Sequence, residues 1–323
     1  MPLTADVVVP VRNRWELTER CLAHLAAQTR AHGVVVCDNG SSDGTPEHVS
    51  ASFPQVRLVE LGSNLGFPVA CNRGAGMGEA EVVVLLNNDV ECRPDFLERL
   101  LAPFELDERL GSAAALLLDD SGRAIESFGL TVDRTLAGYP RLRGASAEEA
   151  QAVRPLLVGP SGAAGAYRRR AWEAVGGLDE GVSFYGEDVD LALRLRAAGW
   201  STTAAADAVA IHLGSASAGH RSGWQRYQGG FSRGYFLRRH GVLRSRAAVR
   251  ALATETLVAA GDAVVFSHDL TALRSRIAGW RAARGLPRSL RPVEVAFDLE
   301  IGFLESVRLR RGIYGEGRRR TSS

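Results

Sequence analysis

The sequence predicts an α/β chain: a doubly wound, mostly parallel sheet flanked by helices, followed by a C-terminal helical extension. Three observations predict it. Apolar runs that end in polar or glycine-rich turns alternate with helical patterns four times over roughly the first ninety residues. The run VVVLL at 82–86 is unbroken, the mark of a strand covered on both faces. From Trp224 onward the character changes, with aromatic residues at spacings of three and four and arginines between them.

In chain order, ADVVVP, ending at Pro10, reads as a buried first strand, and Leu17, Cys21, Leu25 and Gln28 follow at helical spacing. VVVCDNGSSDGT is a second β-branched run that leads to Asp38, Asn39 and a Gly/Ser loop. Thr45 as N-cap and Pro46 as first helical residue open a short helix towards Phe53. VRLVEL at 56–61 is a third strand, NLGFPVACNRGAG a glycine-rich loop entering a helix, and VVVLLNNDV at 82–90 a fourth, central strand. Asn87 and Asn88 favour local side-chain bonding over helix, so the chain turns before Pro94 opens a helix with Phe96, Leu100 and Phe104 on one face.

SAAALLL supplies another buried strand, and DDSGR is a turn signal before AIESFGL. Residues 131–155 lack periodicity and read as a long loop. A small-residue strand and a short helix stopped by Gly176 and Gly177 come next, then FYGEDVDLALRLRAAGW, a helix opened by acids and closed by Gly199. Two strands, 201–205 and 209–211, end at His212. The extension begins with an amphipathic helix carrying Trp224, Tyr227, Phe231 and Tyr235. Two further helical patterns carry Leu270, Leu273, Ile277 and Trp280, then Phe297, Ile301, Leu304 and Val307, and GEGRRRTSS is a basic tail.

With 323 residues, 46% of them hydrophobic, the chain can build a full core with an appendage. Cys21, Cys37, Cys71 and Cys92 form no CxxC or Cys/His cluster, which argues for reduced thiols and against disulfides or structural zinc. No basic leader precedes Asp6 and no apolar stretch is long enough to span a bilayer, so the expected location is the cytoplasm or the inner face of the plasma membrane. A formal net charge of +2 leaves no electrostatic footprint for nucleic acid, and no nucleic-acid partner is expected.

Parallel strands end at one edge of their sheet, where open α/β folds bind ligands. Pro10 with Arg12 and Asn13, Asp38, the loop around Asn72, and Asn88 with Asp89 are therefore expected to converge. A nucleotide laid across this edge puts its base near Asp38, which can accept from an imide N–H. Its diphosphate then falls near Asp89, a carboxylate suited to a hard divalent cation. With neither GxGxxG nor a P-loop present, the pattern points to a sugar nucleotide, although an Asn-Asp pair alone is as often an ordinary turn. Glu187 and Asp188 form a second cluster in a first helical turn, where carboxylates are favoured whether or not they do chemistry. The aromatic-glycine turn before them aims them into a cleft. Most lone histidines are core or surface residues, but a neutral imidazole at the strand end of His212 also suits a metal.

Seven motifs in this order (VVVPVRNR, VVVCDNGSSDGT, NLGFPVACNRG, LLNNDV with PDFL, AGAYRRRAWEAVGGLDE, FYGEDVDLALRLRAAGW and HLGSAS) make residues 5–240 resemble the family 2 glycosyltransferases, inverting enzymes with the GT-A fold, and within them the rhamnosyltransferase-like bacterial members. The resemblance implies a nucleoside-diphosphate sugar donor (UDP or dTDP, with dTDP-rhamnose among the candidates) and Mg²⁺ or Mn²⁺. It also implies a glycan, lipid-linked or small-molecule acceptor. Asp38 matches the family's base-binding aspartate, and Pro10, Arg12, Asn13, Asn72 and Asn88 are assigned with it to the nucleotide sugar. Asp89 matches the last, metal-binding residue of the DxD element, with Asn87 where many relatives carry the first aspartate. His212 matches a histidine that joins the metal site in several relatives. Asp188, paired with Glu187, matches the catalytic base. Residues 1–223 then form the transferase domain, with a nucleotide-sugar half 1–118 and an acceptor half 119–223, and 224–323 the extension.

A sugar nucleotidyltransferase would need a glycine- and lysine-rich triphosphate loop near the first strand, and VPVRNRW shows none. A non-catalytic nucleotide-sugar binder is the other alternative. The extension can pack on the domain, form a homodimer contact, or lie on an anionic membrane through residues 224–250, with Arg233, Arg238, Arg239, Arg244 and Arg246 at the headgroups.

Overall fold

A computed structural model describes residues 2–152, 156–214, 222–286 and 297–312. Pro155, residues 215–217 of HLGSAS and the basic tail lie outside the described residues. The chain divides into two compact units: Met1–Leu130, Pro140–Glu180 and Glu187–Gly214 form the first, and Thr131–Tyr139, Gly181–Gly186 and Ser215–Ser323 the second.

The first unit opens with β1 (Ala5–Val11), α1 (Trp15–Ala26), β2 (Gly33–Asp38), α2 (Thr45–Ser52), β3 (Arg57–Glu60), α3 (Phe67–Ala75) and β4 (Val82–Leu86). The four strands are parallel in the order β3-β2-β1-β4. All five residues of β4 are buried, as an uninterrupted Val/Leu run demands when helices cover both faces of a sheet. The strand is shorter than 82–90, because the chain turns at Asn87 and continues as β5 (Val90–Cys92) on the far edge of the sheet. Then come α4 (Phe96–Leu106), β6 (Leu110–Leu118) and β7 (Ile125–Ser127). Pro94 precedes α4 without entering it, and Asp95 is its N-cap. Likewise Gly44, not Thr45, caps α2, and the Thr45 hydroxyl donates instead to Asp43 at 2.6 Å.

The described part of the expected 131–155 loop, residues 131–152, is not structureless, since β8 (Leu130–Val132) and β9 (Gly138–Pro140) pair as a two-stranded sheet and α5 (Ala147–Ala152) follows. Three-residue strands are too short for a period of two to register. β10 (Ala164–Arg168) starts from the edge where β6 ends, so it runs back antiparallel between β4 and β6. α6 (Arg169–Val175) and α7 (Glu187–Ala197) precede β11 (Ser201–His212), one strand rather than two, with a register shift between Ala205 and Val209. β11 lies parallel to β6 and antiparallel to β5. All four cysteines are free and buried.

In the second unit, α8 (Gly223–Arg239), a 3-10 turn (Val242–Arg244), α9 (Ala248–Gly261), a π-helical turn (Asp262–Phe266), α10 (Thr271–Ala282) and α11 (Phe303–Gly312) succeed one another. The periodicity of Leu270, Leu273 and Ile277 marks a helix, but these residues are its exposed stripe. The packed stripe is Ala272, Ser275 and Gly279. A Cβ on Gly279 would stand 1.8 Å from the Phe231 carbonyl oxygen, and one on Gly234 would stand 1.9 Å from that of Arg276, so α8 and α10 touch backbone to backbone. Leu304 is exposed on α11, Ile301 and Val307 are buried, and Phe297 precedes the helix. Glu255 is buried, accepting from Arg233 Nε at 2.6 Å, from Arg276 Nε at 2.9 Å and from Arg310. Arg238 donates to the Trp280 carbonyl and stacks on its ring. Arg233 and Arg238 are thus committed inside the fold and do not form the outward basic row expected of residues 224–250.

Candidate active site

Register places the expected residues at the carboxyl edge. Val11 pairs with Asp38, which pairs with Glu60, and Pro10 lies opposite Cys37. Asn13 and Arg14 both adopt left-handed φ, turning the exposed Arg12 loop back over the strand ends. Asn13 donates its N–H to Ser41 Oγ (2.7 Å) and its Oδ1 accepts from the Ser42 N–H (2.8 Å). Asn88 donates to Thr18 Oγ1 (3.0 Å), which in turn donates to the Arg14 carbonyl (3.2 Å). Asn39 bonds Asn64 and the Leu65 N–H, and Gly40 passes so close to that loop that a Cβ would meet Ser63 Cα at 2.6 Å. Four turns after β1, β2, β3 and β4 are thereby sewn into one rim.

Within that rim Asp38 is buried. Its Oδ2 accepts from the N–H groups of Gly40 (3.1 Å) and Ser41 (3.0 Å), while Oδ1, also buried, accepts no hydrogen bond among the described residues. A buried carboxylate oxygen without a donor costs on the order of 1–3 kcal/mol, which an incoming N–H would recover.

Asp89 follows β4 in the turn to β5. Because His212 pairs with Val90 across β11 and β5, its Nε2 comes to 3.1 Å from Asp89 Oδ1. The other ring nitrogen, Nδ1, bonds Glu126 of β7, which the antiparallel pairing at Leu117 and Leu118 brings to the same end of the sheet. Burial lowers the imidazole pKa, but the hydrogen bonds and charges of Asp89 and Glu126 outweigh it and push it up to about 10. Among the described residues no cluster of three His, Cys, Asp or Glu side chains is gathered as a metal cage. Asp89 offers the oxygen donor that suits a hard cation completing its shell with phosphate and water, and His212 Nε2 can join it only where the cation displaces the proton that Asp89 now holds there. Glu126 escaped the sequence reading because nothing in AIESFGL separates it from a solvated strand residue. Only its register beside His212 does.

Tyr185 and Gly186 both have positive φ immediately before α7. Asp190 is buried and paired with Arg194 (2.7 Å), a structural role. Neither Glu187 nor Asp188 has an ion pair among the described residues. Asp188 accepts from the N–H of Gly162 (3.0 Å) and of Val189 (2.8 Å), and Glu187 is buried with Oε2 unpartnered. Burial raises both carboxyl pKa values. The Asp188 charge raises that of Glu187 further, whereas the N–H bonds partly hold that of Asp188 down. A Cβ on Gly162 would approach Glu187, Asp188 and Phe67 at 3.4 to 3.8 Å, so the glycine keeps the space over the acids open.

Asn72 lies inside α3 rather than in a loop. Its amide donates to the Leu178 carbonyl and to Glu180, and its oxygen accepts from the Leu178 N–H, each at 2.9 Å. Its polar groups hold the GGLD turn. A depression of about 630 Å³ lined by Glu81, Glu105, Glu108, Arg168 and Arg170 lies at the opposite edge, away from these acids.

A sheet whose carboxyl edge gathers the buried Asp38, the Asp89–His212 pair and, at the start of α7, Glu187 and Asp188 has the layout of a glycosyltransferase of the GT-A fold. The family model "Glycosyl transferase family 2" matches residues 6–176, and "Glycosyl transferase family group 2" matches residues 148–283. The chain is 34% identical over 224 residues, 62% of its length and 73% of the relative's, to N-acetylglucosaminyl-diphospho-decaprenol L-rhamnosyltransferase of Mycobacterium tuberculosis. Among solved structures it resembles the mannosyltransferase PcManGT of Pyrobaculum calidifontis in complex with GDP-Man and Mn²⁺ (TM-score 0.52, 19% identity, 88% of this chain and 76% of that one). It also resembles GalNAc-T7 with UDP, GalNAc and Mn²⁺ (TM-score 0.58, 15% identity, 85% and 54%). The chain belongs to glycosyl transferase family 2.

Proposed function

We propose that the protein is an inverting, metal-dependent transferase that moves a sugar, rhamnose foremost, from a UDP or dTDP donor to a hydroxyl of a lipid-linked acceptor. The observation that carries it is Asp188 at the start of α7, an acid with no cation partner among the described residues, oriented by the N–H groups of Gly162 and Val189. Its pKa, raised by burial, suits a base that takes the acceptor hydroxyl proton as that oxygen attacks the anomeric carbon opposite the leaving diphosphate. Glu187, beside it, is pushed up to about 8 by burial and by the Asp188 charge, so near neutral pH it stays protonated and the negative charge of the pair rests on Asp188. Asp38 receives the base, and the Asn13 and Asn88 turns shape the rim. Asp89, with His212 once its proton is displaced, would hold Mg²⁺ or Mn²⁺, and the ion would supply Lewis-acid stabilisation of the diphosphate charge.

The M. tuberculosis relative, by its name, glycosylates a decaprenol-linked acceptor, which supports a polyprenyl-diphosphate sugar here and work at the cytoplasmic membrane face. A panel of UDP- and dTDP-sugars with Mn²⁺, read by released nucleoside diphosphate and by the anomeric configuration of the product, tests the reading. Transfer from a dTDP-sugar with inversion is expected. Retention of configuration overturns the base mechanism, and binding without turnover returns the protein to a non-catalytic role.

A further inference from the structure

The second unit bears an apolar and basic surface that packing among its described residues leaves unused. α10 turns its small residues to α8, so its other stripe, Leu270, Leu273 and Ile277, stays in water together with Arg274 and Arg281. α9 behaves the same way: Ala251, Thr254 and Val258 are buried, while Val249 and Leu252 point outward. The π-helical turn that links the two helices exposes Val264 and Val265 at 71% and 63%. α10 packs against both α9 and this turn, so the stripes belong to neighbouring elements. Aliphatic side chains repeated along two helices and their junction exceed the scattered exposure of a soluble surface.

The charges around them are predominantly positive. Between residues 244 and 286 the exposed side chains that carry a permanent charge are Arg244, Arg246, Arg274, Arg281 and Arg284. Of the three acids of that stretch, Glu255 is buried under arginines, and Asp262 and Asp269 share the single Arg226, which leaves one negative charge against the five exposed arginines. A two-fold contact with a second copy would set these arginines against their own kind, which opposes dimerisation through this face. Nucleic acid would use the charge but not the aliphatics, which offer no ring for stacking. An anionic bilayer uses both, taking valine and leucine into the acyl boundary and arginine at its headgroups.

We propose that the outward stripes of α9 and α10, with Val264 and Val265 between them, dock the protein on an anionic membrane surface. The docking is read from these residues alone and deepens the lipid-linked acceptor reading without depending on it.

Co-sedimentation of the full chain with vesicles tests it, comparing pure phosphatidylcholine with vesicles containing about 30% phosphatidylglycerol at low and high salt. The anionic vesicles should bind at least about tenfold more tightly, and high salt should weaken that binding. The double variant Val264→Asp, Val265→Asp and, separately, Arg274→Glu, Arg281→Glu should each lower vesicle affinity about tenfold or more, with melting temperature and vesicle-free donor hydrolysis unchanged. Equal binding to both vesicle types, no binding, or unaltered binding by both variants overturns the proposal. So does a dimer seen by light scattering that the valine variant dissociates, which would give the face to a second copy. Donor hydrolysis is read apart from sedimentation, so failure of the docking and failure of the transferase reading are distinguishable.

Discussion

The acids of the first unit differ in what holds them, and that difference separates their roles. Among the described residues Asp188 meets only N–H groups, Gly162 at Oδ2 and Val189 at Oδ1, so Asp188→Asn removes the base and keeps an oxygen for one of the two bonds. Transfer should fall by about a hundredfold or more with donor affinity preserved, measured by turnover beside calorimetry. Near-normal turnover would remove Asp188 from the reaction. Asp38 and Asp89 follow different strands and should separate in titrations with UDP or dTDP. Asp89→Ala should abolish the Mn²⁺-dependent part of binding, and Asp38→Ala should weaken the nucleoside part with or without metal. Equal metal dependence in both variants contradicts the assignment. Glu126 orients the His212 ring through Nδ1, so Glu126→Ala should weaken Mn²⁺ affinity by about tenfold, the scale of losing such a supporting carboxylate. Glu126→Gln, which can still accept from Nδ1–H, should recover most of that affinity, as read by Mn²⁺ electron paramagnetic resonance. The positions of Asp38, Asp89, Asp188 and His212 were legible because the first and last end strands, Asp89 follows one and Asp188 lies in the first turn of a helix. Glu126 was not, since its importance comes from strand register.

At the scale of elements, the pattern of apolar residues revealed that a helix exists more reliably than which side of it packs. Val82 to Leu86 left no ambiguity, because every side of a central strand is buried. On α10 the eye is drawn to Leu270, Leu273 and Ile277, yet contact belongs to Ala272, Ser275 and Gly279, since close backbone approach selects for small volume. α9 escaped the sequence reading for a similar reason: alanine and threonine supply much of its buried side, a weak hydrophobic signal. The close approach makes a prediction. Gly279→Ala puts a methyl against the Phe231 carbonyl and should cost about 1–3 kcal/mol in urea denaturation followed by circular dichroism. Gly302→Ala, with nothing within 4 Å of the new Cβ, is the control and should stay within about 0.5 kcal/mol. If both variants denature alike, backbone contact between α8 and α10 is not what holds them.

Across the whole molecule, the two units are stabilised by different physics. The first rests on a sheet whose strands read as apolar runs, and its fold was visible in the sequence. In the second, segments far apart in the chain are tied by buried charge. Glu255 accepts from Arg233, Arg276 and Arg310, Asp133 accepts from Ser306, and Arg310 and Arg233 reach Thr135. No local periodicity announces such a network. Burial alone would raise the Glu255 pKa, but the charges of Arg233, Arg310 and Arg276 win and hold it far below the glutamate range, and Asp133 is lowered too, chiefly by Arg310. A carboxylate depressed in the fold contributes stability that is complete above its unfolded pKa and fades as pH falls through and below that value. For Glu255 the loss therefore begins near about pH 4.5 and deepens with further acidification. Amide exchange in α8–α11 should accelerate between about pH 5 and pH 3 relative to β1, β4 and β6, after correction for intrinsic exchange. Glu255→Gln leaves three arginines without their common anion and should cost about 3–5 kcal/mol at neutral pH, the scale of breaking a buried ion pair. Because glutamine does not titrate, much of the acid sensitivity of α8–α11 should vanish with it. A variant that opens with the same pH profile as the parent would show that the acid transition originates elsewhere.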